Sequence, residues 1–145
     1  MLKLSPTALF TRPADTTAYA SGDLVANSTT AGSVIPLQIS LAAKAGQIVK
    51  ILRARLKKSG AVITNAQFRV HLYGAAPTVT NGDNGVWLST ESSYLGHFDV
   101  TIDKAFSAGS SGVGVPGSGL GTFALYKPAA SVKNIFALLE ARAAY

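Results

Sequence analysis

The chain has 145 residues, of which 48% are hydrophobic and 14% charged, and its formal net charge at pH 7 is +6. This composition excludes an intrinsically disordered chain, and the length predicts one domain with a hydrophobic core, residues 1–145. The absence of cysteine excludes disulfides, thiolate metal sites and cysteine nucleophiles. We expect no signal peptide and no membrane span, because no apolar run approaches the ~20 residues that cross a bilayer.

Short apolar runs separated by Gly, Pro, Asn and Ser clusters predict β-strands along the whole chain. The first four candidate strands are residues 2–10, 23–26, 34–42 and 47–58. In the last of these, apolar and basic residues alternate after position 51. The adjacent apolar pair Ile51 and Leu52 breaks the alternation, which predicts a bulge or a change of face.

The second half of the chain continues the β pattern. The remaining candidate strands are residues 67–74, 96–103, 121–127 and 133–145. The C-terminal segment is rich in helix formers, but we predict a strand there because only Asn134 is available to cap a helix before Ile135. A total of about eight strands predicts an all-β fold, an antiparallel β-sandwich or jelly roll with long Gly-, Ser- and Thr-rich loops.

The segment GVGVPG, residues 112–117, matches the G-x-G-x-x-G pattern of dinucleotide-binding proteins. That fingerprint requires a helix after the glycines, whereas Pro116 interrupts this one and a predicted strand follows. The segment is therefore predicted to be part of a flexible loop of about fifteen residues between strands, one that contacts a neighbour.

Candidate catalytic groups do not form a recognisable constellation. His71 and His97 occupy outward positions of two strands and are interpreted as surface histidines, without the carboxylates or thiols of a metal site. Asp99 and Asp103 share one strand face, where pairing with a basic strand is favoured over acid–base chemistry. The segment NGDN, residues 81–84, is interpreted as a turn. The sequence predicts no enzyme, no catalytic residues, no cofactor and no metal.

A long stretch without any acidic residue contains three alternating cations, Arg53, Arg55 and Lys57, spaced by about 7 Å on one face of a strand. Two interpretations stand. The first is cross-strand pairing with Asp99 and Asp103, or a plain solvated face. The second is an anionic partner, for which an acidic protein surface is favoured. Nucleic acid is disfavoured because no aromatic residues are interleaved with the cations and no recognition helix is present.

The N-terminal segment, residues 10–32, is too polar and too often broken by glycine and proline for a core helix. It nevertheless contains the apolar residues Tyr19, Leu24 and Val25. We interpret residues 1–32 as including an extended arm. The three apolar side chains would pin this arm to the body, and its Thr and Ser residues would face a neighbour.

The string R-P-x-D-T-x-x-Y-x-x-G-D-L-V, residues 12–25, is followed later by YGAAPTVTNGDNG and YLGHFDVTID. Together these segments resemble the jelly-roll decoration, or cement, proteins on the capsids of tailed bacteriophages. The resemblance implies a non-enzymatic virion protein that is made in the host cytoplasm and bound to the outer capsid surface. It also implies that the protein bridges major capsid protein subunits and forms an oligomer, with a homodimer favoured over a trimer. It implies no particular capsid-contact residues.

Two alternatives stay open. Jelly rolls also bind sugars through exposed aromatic residues, and the candidates for such a platform are Tyr73, Trp87, Tyr94 and Tyr126. The chain is also compatible with another structural part of a phage, such as a tail or adaptor protein.

Overall fold

A computed structural model describes residues 4–41, 44–90, 92–117 and 124–145. Within these residues the chain forms ten strands, one short 3-10 helix at Ala31–Ser33, and no α-helix. The strands are β1 Leu24–Val25, β2 Leu37–Ser40, β3 Val49–Ile51, β4 Ala54–Lys58, β5 Gln67–Tyr73, β6 Tyr94–Thr101, β7 Lys104–Phe106, β8 Gly109–Pro116, β9 Ala124–Tyr126 and β10 Asn134–Ala141.

All of these strands pair antiparallel. The larger sheet has the order β1-β10-β5-β6-β8-β4, with β2 also on β10 and β7 also on β8, whereas β3 and β9 form a small second sheet. Strands β1 and β2 lie end to end along the same edge of β10, where Leu24 pairs with Glu140 and Leu37 with Ala137. The predicted all-β class is confirmed: the eight-stranded sheet curls into a β-sandwich of jelly-roll type.

The main core lies on one face of β5, β6 and β10. Its buried side chains include Phe68, Val70, Leu72, Phe98, Val100, Ile102, Ile135 and Leu139. The sheet curls so that Ala54 and Leu56, from β4 at its far edge, pack back onto this face. Ile51 of β3 covers another part of it. Full burial of each large apolar side chain contributes about 1.5–3 kcal/mol.

The opposite face of β5 and β10 is covered as well. The loop between β5 and β6 places Val79 and Trp87 against Tyr73 and Leu138, and Leu24 completes this cluster. Residues buried on both faces of a strand show no alternation between apolar and polar types. This explains why β10, which confirms the predicted C-terminal strand, has a continuous apolar run that also suits a helix.

The first half of the strand prediction needs two corrections. The predicted strand at residues 2–10 is wrong, since the described residues 4–10 contain none. The predicted strand at residues 47–58 is two strands, because the chain leaves its pairing with β9 after Ile51 and pairs with β8 from Ala54. The pair Ile51 and Leu52 therefore marks a change of sheet. Residues 121–123 of another predicted strand lie outside the described residues.

The predicted loop around residues 112–117 is also wrong in its described part, because Gly109–Pro116 form β8. This strand pairs with β4, β7 and β6. Gly112 and Gly114 face the backbone, and a Cβ at either position would overlap the carbonyl oxygen of Thr101 or Asp99. Glycine in a strand interior thus marks a close approach of two backbones rather than a flexible loop.

Gly112→Ala should lower the free energy of unfolding by about 3 kcal/mol, because the added methyl group meets rigid backbone. Gly32→Ala is the matched control: nothing lies within 4 Å of its Cβ position, and we expect a change within about 0.5 kcal/mol. Urea denaturation measures both variants. A Gly112→Ala protein as stable as the wild type would contradict the close approach.

Candidate interaction surface

The N-terminal segment is attached to the body by one buried carboxylate. The Asp83 side chain is fully buried and accepts hydrogen bonds from the Tyr19 hydroxyl and the Ala26 backbone N–H, both at 2.7 Å. The Arg12 guanidinium donates a third bond at 3.2 Å and lies over the Tyr19 ring, 4.3 Å from its centroid. Burial, together with the Asp83 carboxylate, raises the pKa of Tyr19. Asp83 thereby joins three points of the N-terminal segment to the loop between β5 and β6.

The three candidate anchors Tyr19, Leu24 and Val25 are all buried. Tyr19 exchanges two backbone hydrogen bonds with Tyr145, at 2.7 and 3.1 Å. Leu24 and Val25 form β1 on the edge of β10. This part of the segment is therefore sheet and core, whereas the described residues 4–18 contain no strand and are mostly exposed.

The sequence string at residues 12–25 forms the local structure of this attachment. Asp15 accepts a hydrogen bond from the Thr17 N–H, and Asp23 accepts one from the Ala20 N–H. Gly22 has a φ of +100°, which favours glycine. The partner Asp83 lies within NGDN, which does form a turn, closed by the Gly85 N–H to the Gly82 carbonyl at 3.0 Å. The string thus specifies a local conformation, and sequence reasoning missed the anchoring role of the turn aspartate.

Asp83→Ala should lower the free energy of unfolding by about 3–5 kcal/mol, because a buried charge pair loses one member and two further donors lose their acceptor. Asp15→Ala is the control, since its partly exposed pair with Arg12 is worth about 1 kcal/mol or less. Urea unfolding followed by the fluorescence of the single tryptophan measures both. Equal stabilities of the two variants would contradict the anchoring role.

His71 is not a surface histidine, contrary to the sequence interpretation. It is buried, its ring stacks on Trp87 with centroids 3.8 Å apart, and its Nε2 lies 2.7 Å from a carboxylate oxygen of Glu140. Its Nδ1 lies 3.0 Å from the Tyr94 hydroxyl. The outward position predicted from alternation is right, but the loop between β5 and β6 covers that face. His97 stays partly exposed.

This buried network is satisfied within the chain. Burial lowers the pKa of His71 to about 4, and the hydrogen bond to Glu140 opposes the shift only in part. The neutral ring then donates from Nε2 to Glu140 and accepts the Tyr94 hydroxyl at Nδ1. Arg142 donates to the second Glu140 oxygen at 2.6 Å. The arrangement attaches the loop to the sheet, and the described residues contain no group of three His, Cys, Asp or Glu placed to hold a metal.

The protein should lose stability as the pH falls from 6.5, the ordinary pKa of His71, towards its lowered value of about 4. In that window the unfolded chain binds a proton that the folded chain excludes, so the loss reaches about 2–3 kcal/mol. Urea denaturation at a series of pH values measures it. His71→Gln should remove most of this slope, whereas His97→Gln should remove a smaller part, because burial also lowers the pKa of the partly exposed His97. An unchanged slope in His71→Gln would contradict the assignment.

The four aromatic candidates for a sugar platform do not share an exposed surface. Tyr73 is completely buried, and the Trp87 ring stacks on His71. Tyr94 is 38% exposed but packs edge-on against Tyr73, with ring centroids 5.3 Å apart. Tyr126 is half-buried and donates to the Gly74 carbonyl at 3.3 Å. The rings of Tyr73, Trp87 and Tyr94 therefore pack together where the loop between β5 and β6 covers the second face of β5 and β10.

The three candidate cations Arg53, Arg55 and Lys57, together called the basic ridge, are exposed. Arg55 and Lys57 project from β4, whereas Arg53 lies in the break that separates β3 from β4. Pairing with Asp99 and Asp103 is wrong: Asp99 pairs with Arg69 at 2.6 Å and Asp103 with Lys104 at 2.7 Å. Within the described part of the chain no ion pair reaches the ridge. A solvated face and an anionic partner are the two interpretations left.

Sequence reasoning missed three exposed apolar residues beside this ridge, Phe106, Val113 and Val115. Two of them belong to β8, which was interpreted as a loop. The alternation of valine with glycine at residues 112–115 was the available signal.

No protein-family model matches this chain, and comparisons with curated proteins and with solved structures likewise find no match. Among the described residues, no helix has the length and apolar character to cross a membrane.

Proposed function

We propose that this chain is a non-enzymatic structural protein of a tailed-bacteriophage virion. It decorates the outer capsid surface and stabilises the capsid by bridging neighbouring major capsid protein subunits. The observation that carries the proposal is the N-terminal arm, defined here as residues 4–18. The C-terminal half of the arm is attached to the buried Asp83 through Arg12 and through Tyr19, the residue that follows the arm. In the N-terminal half, Leu4 is 46% exposed and Leu9 is 85% exposed.

The backbone of the arm supports the same proposal. In the part of the chain that the structure describes, residues 4–12 make no backbone hydrogen bond. In extended conformation nine residues reach about 30 Å, and all of them except Pro6 have an N–H as well as a C=O group to offer. Such a segment can add to a sheet edge of a neighbouring molecule, with apolar side chains supplying part of the affinity. An arm of this kind suits a protein that connects subunits.

Bridging requires two contacts with different subunits. The folded body contacts one capsid subunit and the arm contacts the next, and association into homodimers extends the connection further. Each contact is modest, but binding to a repeating lattice adds contacts without requiring any single one to be strong. Shells with bound protein then resist the outward pressure of packaged DNA better than bare shells.

The proposal is tested by co-sedimentation with shells assembled from the major capsid protein of the same virus. We expect the wild-type chain to sediment with the shells. A Leu4→Ser/Leu9→Ser variant should bind at least ~10-fold more weakly, because burial of each leucine contributes about 1.5–3 kcal/mol. Val62→Ser, which removes a 66% exposed apolar residue elsewhere, is the control.

Point substitutions are preferred to removal of residues 2–17, which would also take Arg12 from Asp83 and weaken the fold. Absence of wild-type binding to shells in every expansion state would contradict the proposed function. Equal losses in the arm variant and the Val62→Ser control would contradict only the role of the arm.

A further inference from the structure

One sheet face combines exposed cations with exposed apolar residues. We define the basic–apolar face by the residues Arg55 and Lys57 of β4, Lys104 and Phe106 of β7, and Val113 and Val115 of β8. The strand registers make these residues neighbours: Arg55 is opposite Val113, and Lys57 and Lys104 are both opposite Ser111. Part of the face is an open depression between Arg55 and Phe106.

The apolar residues of this face are well exposed. Val115 is 68% exposed, Phe106 59% and Val113 48%. Gly112 and Gly114, on the other side of β8, are buried against β6, so this strand directs its large side chains outward. Adjacent exposed apolar residues bordered by charges are typical of protein-binding surfaces.

The cations of this face have few partners within the chain. Arg55 and Lys57 form no ion pair with any described residue, and Lys104 pairs only with its neighbour Asp103, with both side chains more than half exposed. Lys58, the next residue along β4, differs because its ammonium group donates to the carbonyls of Gly60 and Val62. Lys58, next to the basic ridge in sequence, thus has hydrogen-bond partners within the chain, whereas Arg55 and Lys57 have no ion-pair partner among the described residues.

The carboxylates in the described part of the chain all have partners within it. The sequence has seven acidic residues, and Glu91 lies outside the described part. Each of the other six accepts a hydrogen bond or an ion pair within the chain: Asp15, Asp23, Asp83, Asp99, Asp103 and Glu140. Asp99, opposite Val115 on β6, receives two bonds from Arg69. Asp99 and Asp103 are exposed, but each already lies beside a cation of its own chain, so a second copy, with a formal net charge of +6, brings a surplus of cations to this face.

We propose that the basic–apolar face docks onto an acidic surface of another protein, one in which aspartate or glutamate side chains border exposed aliphatic residues. Under the proposed function, on which this identification rests, that protein is the major capsid protein. A nucleic acid fits less well, because the centre of the face holds two valines, which do not stack on bases, and only one aromatic residue.

The size of the face determines the strength of the contact. A standard interface buries about 800 Å² on each partner, and three short strands about 4.8 Å apart supply only part of that area. A single contact is therefore weak and sensitive to salt. Its occupancy on a repeating lattice depends on the arm and on multiple attachment.

The test reverses the charge of the face. Arg55→Glu/Lys57→Glu should bind shells of the major capsid protein at least ~10-fold more weakly, and wild-type binding should weaken as added salt shortens the Debye length below about 8 Å. Lys127→Glu/Lys133→Glu is the control with the same change in net charge. These exposed lysines follow β9 and precede β10, and neither belongs to a strand of the face.

A second measurement works without shells. Backbone NMR shifts of the wild-type chain are recorded with poly-L-glutamate and, separately, with a DNA duplex of equal phosphate concentration. Shifts in β4, β7 and β8 with poly-L-glutamate, absent in the charge-reversed variant, support the face as an acidic-protein site. Larger shifts there with DNA, or no shifts there with poly-L-glutamate, overturn it.

These outcomes separate the two proposals. If the wild-type chain binds shells and the charge-reversed variant binds them equally well, the docking role of the face is wrong and the proposed function stands. Absence of wild-type shell binding overturns the proposed function, and the NMR titration still decides the face. If light scattering shows that the charge reversal abolishes a homodimer, the face serves a second copy and the proposal is wrong.

Discussion

Strands β5 and β10 are buried on both faces, and most of the remaining chain is arranged to cover them. The curled edge of the sheet covers one face with Leu56 and its neighbours. The loop between β5 and β6 covers the other and carries Trp87 onto His71. That loop needs its own attachment, and the buried Asp83 supplies it by binding Arg12 and Tyr19. Removal of this one carboxylate would loosen both the cover and the N-terminal segment.

This arrangement separates the interior polar groups from the surfaces available for binding. Glu140, His71 and Tyr94 bind one another beneath the loop, so His71, which the sequence offered as a candidate catalytic or metal-binding group, contributes to the fold. Exposed apolar side chains and cations are found instead in the arm of residues 4–18 and on the basic–apolar face. A connecting protein needs separated contact surfaces of this kind, and the two proposals assign one role to each.

Sequence patterns were informative for strands that have one strongly apolar face. The alternation in β5 and β6 predicts both strands because one face of each is strongly apolar, and the C-terminal strand is identified from its β context. Prediction failed at β8, where Gly112 and Gly114 signal a loop locally. Their burial against β6 is a long-range contact, so no local pattern could distinguish the close approach from flexibility. The burial of His71 was missed for the same reason, since its cover comes from a separate loop.

The sequence by itself determined the all-β class, the surplus of positive charge and the apolar anchors Tyr19, Leu24 and Val25. These properties depend on composition and on spacing within a few residues. Only the tertiary structure decided that Asp83 receives the N-terminal segment, that Asp99 and Asp103 have other partners than the basic ridge, and that two valines and Phe106 lie beside it. Apart from the neighbour pair Asp103–Lys104, these contacts join residues tens of positions apart. Strand register and loop closure determine which of many possible partners meet.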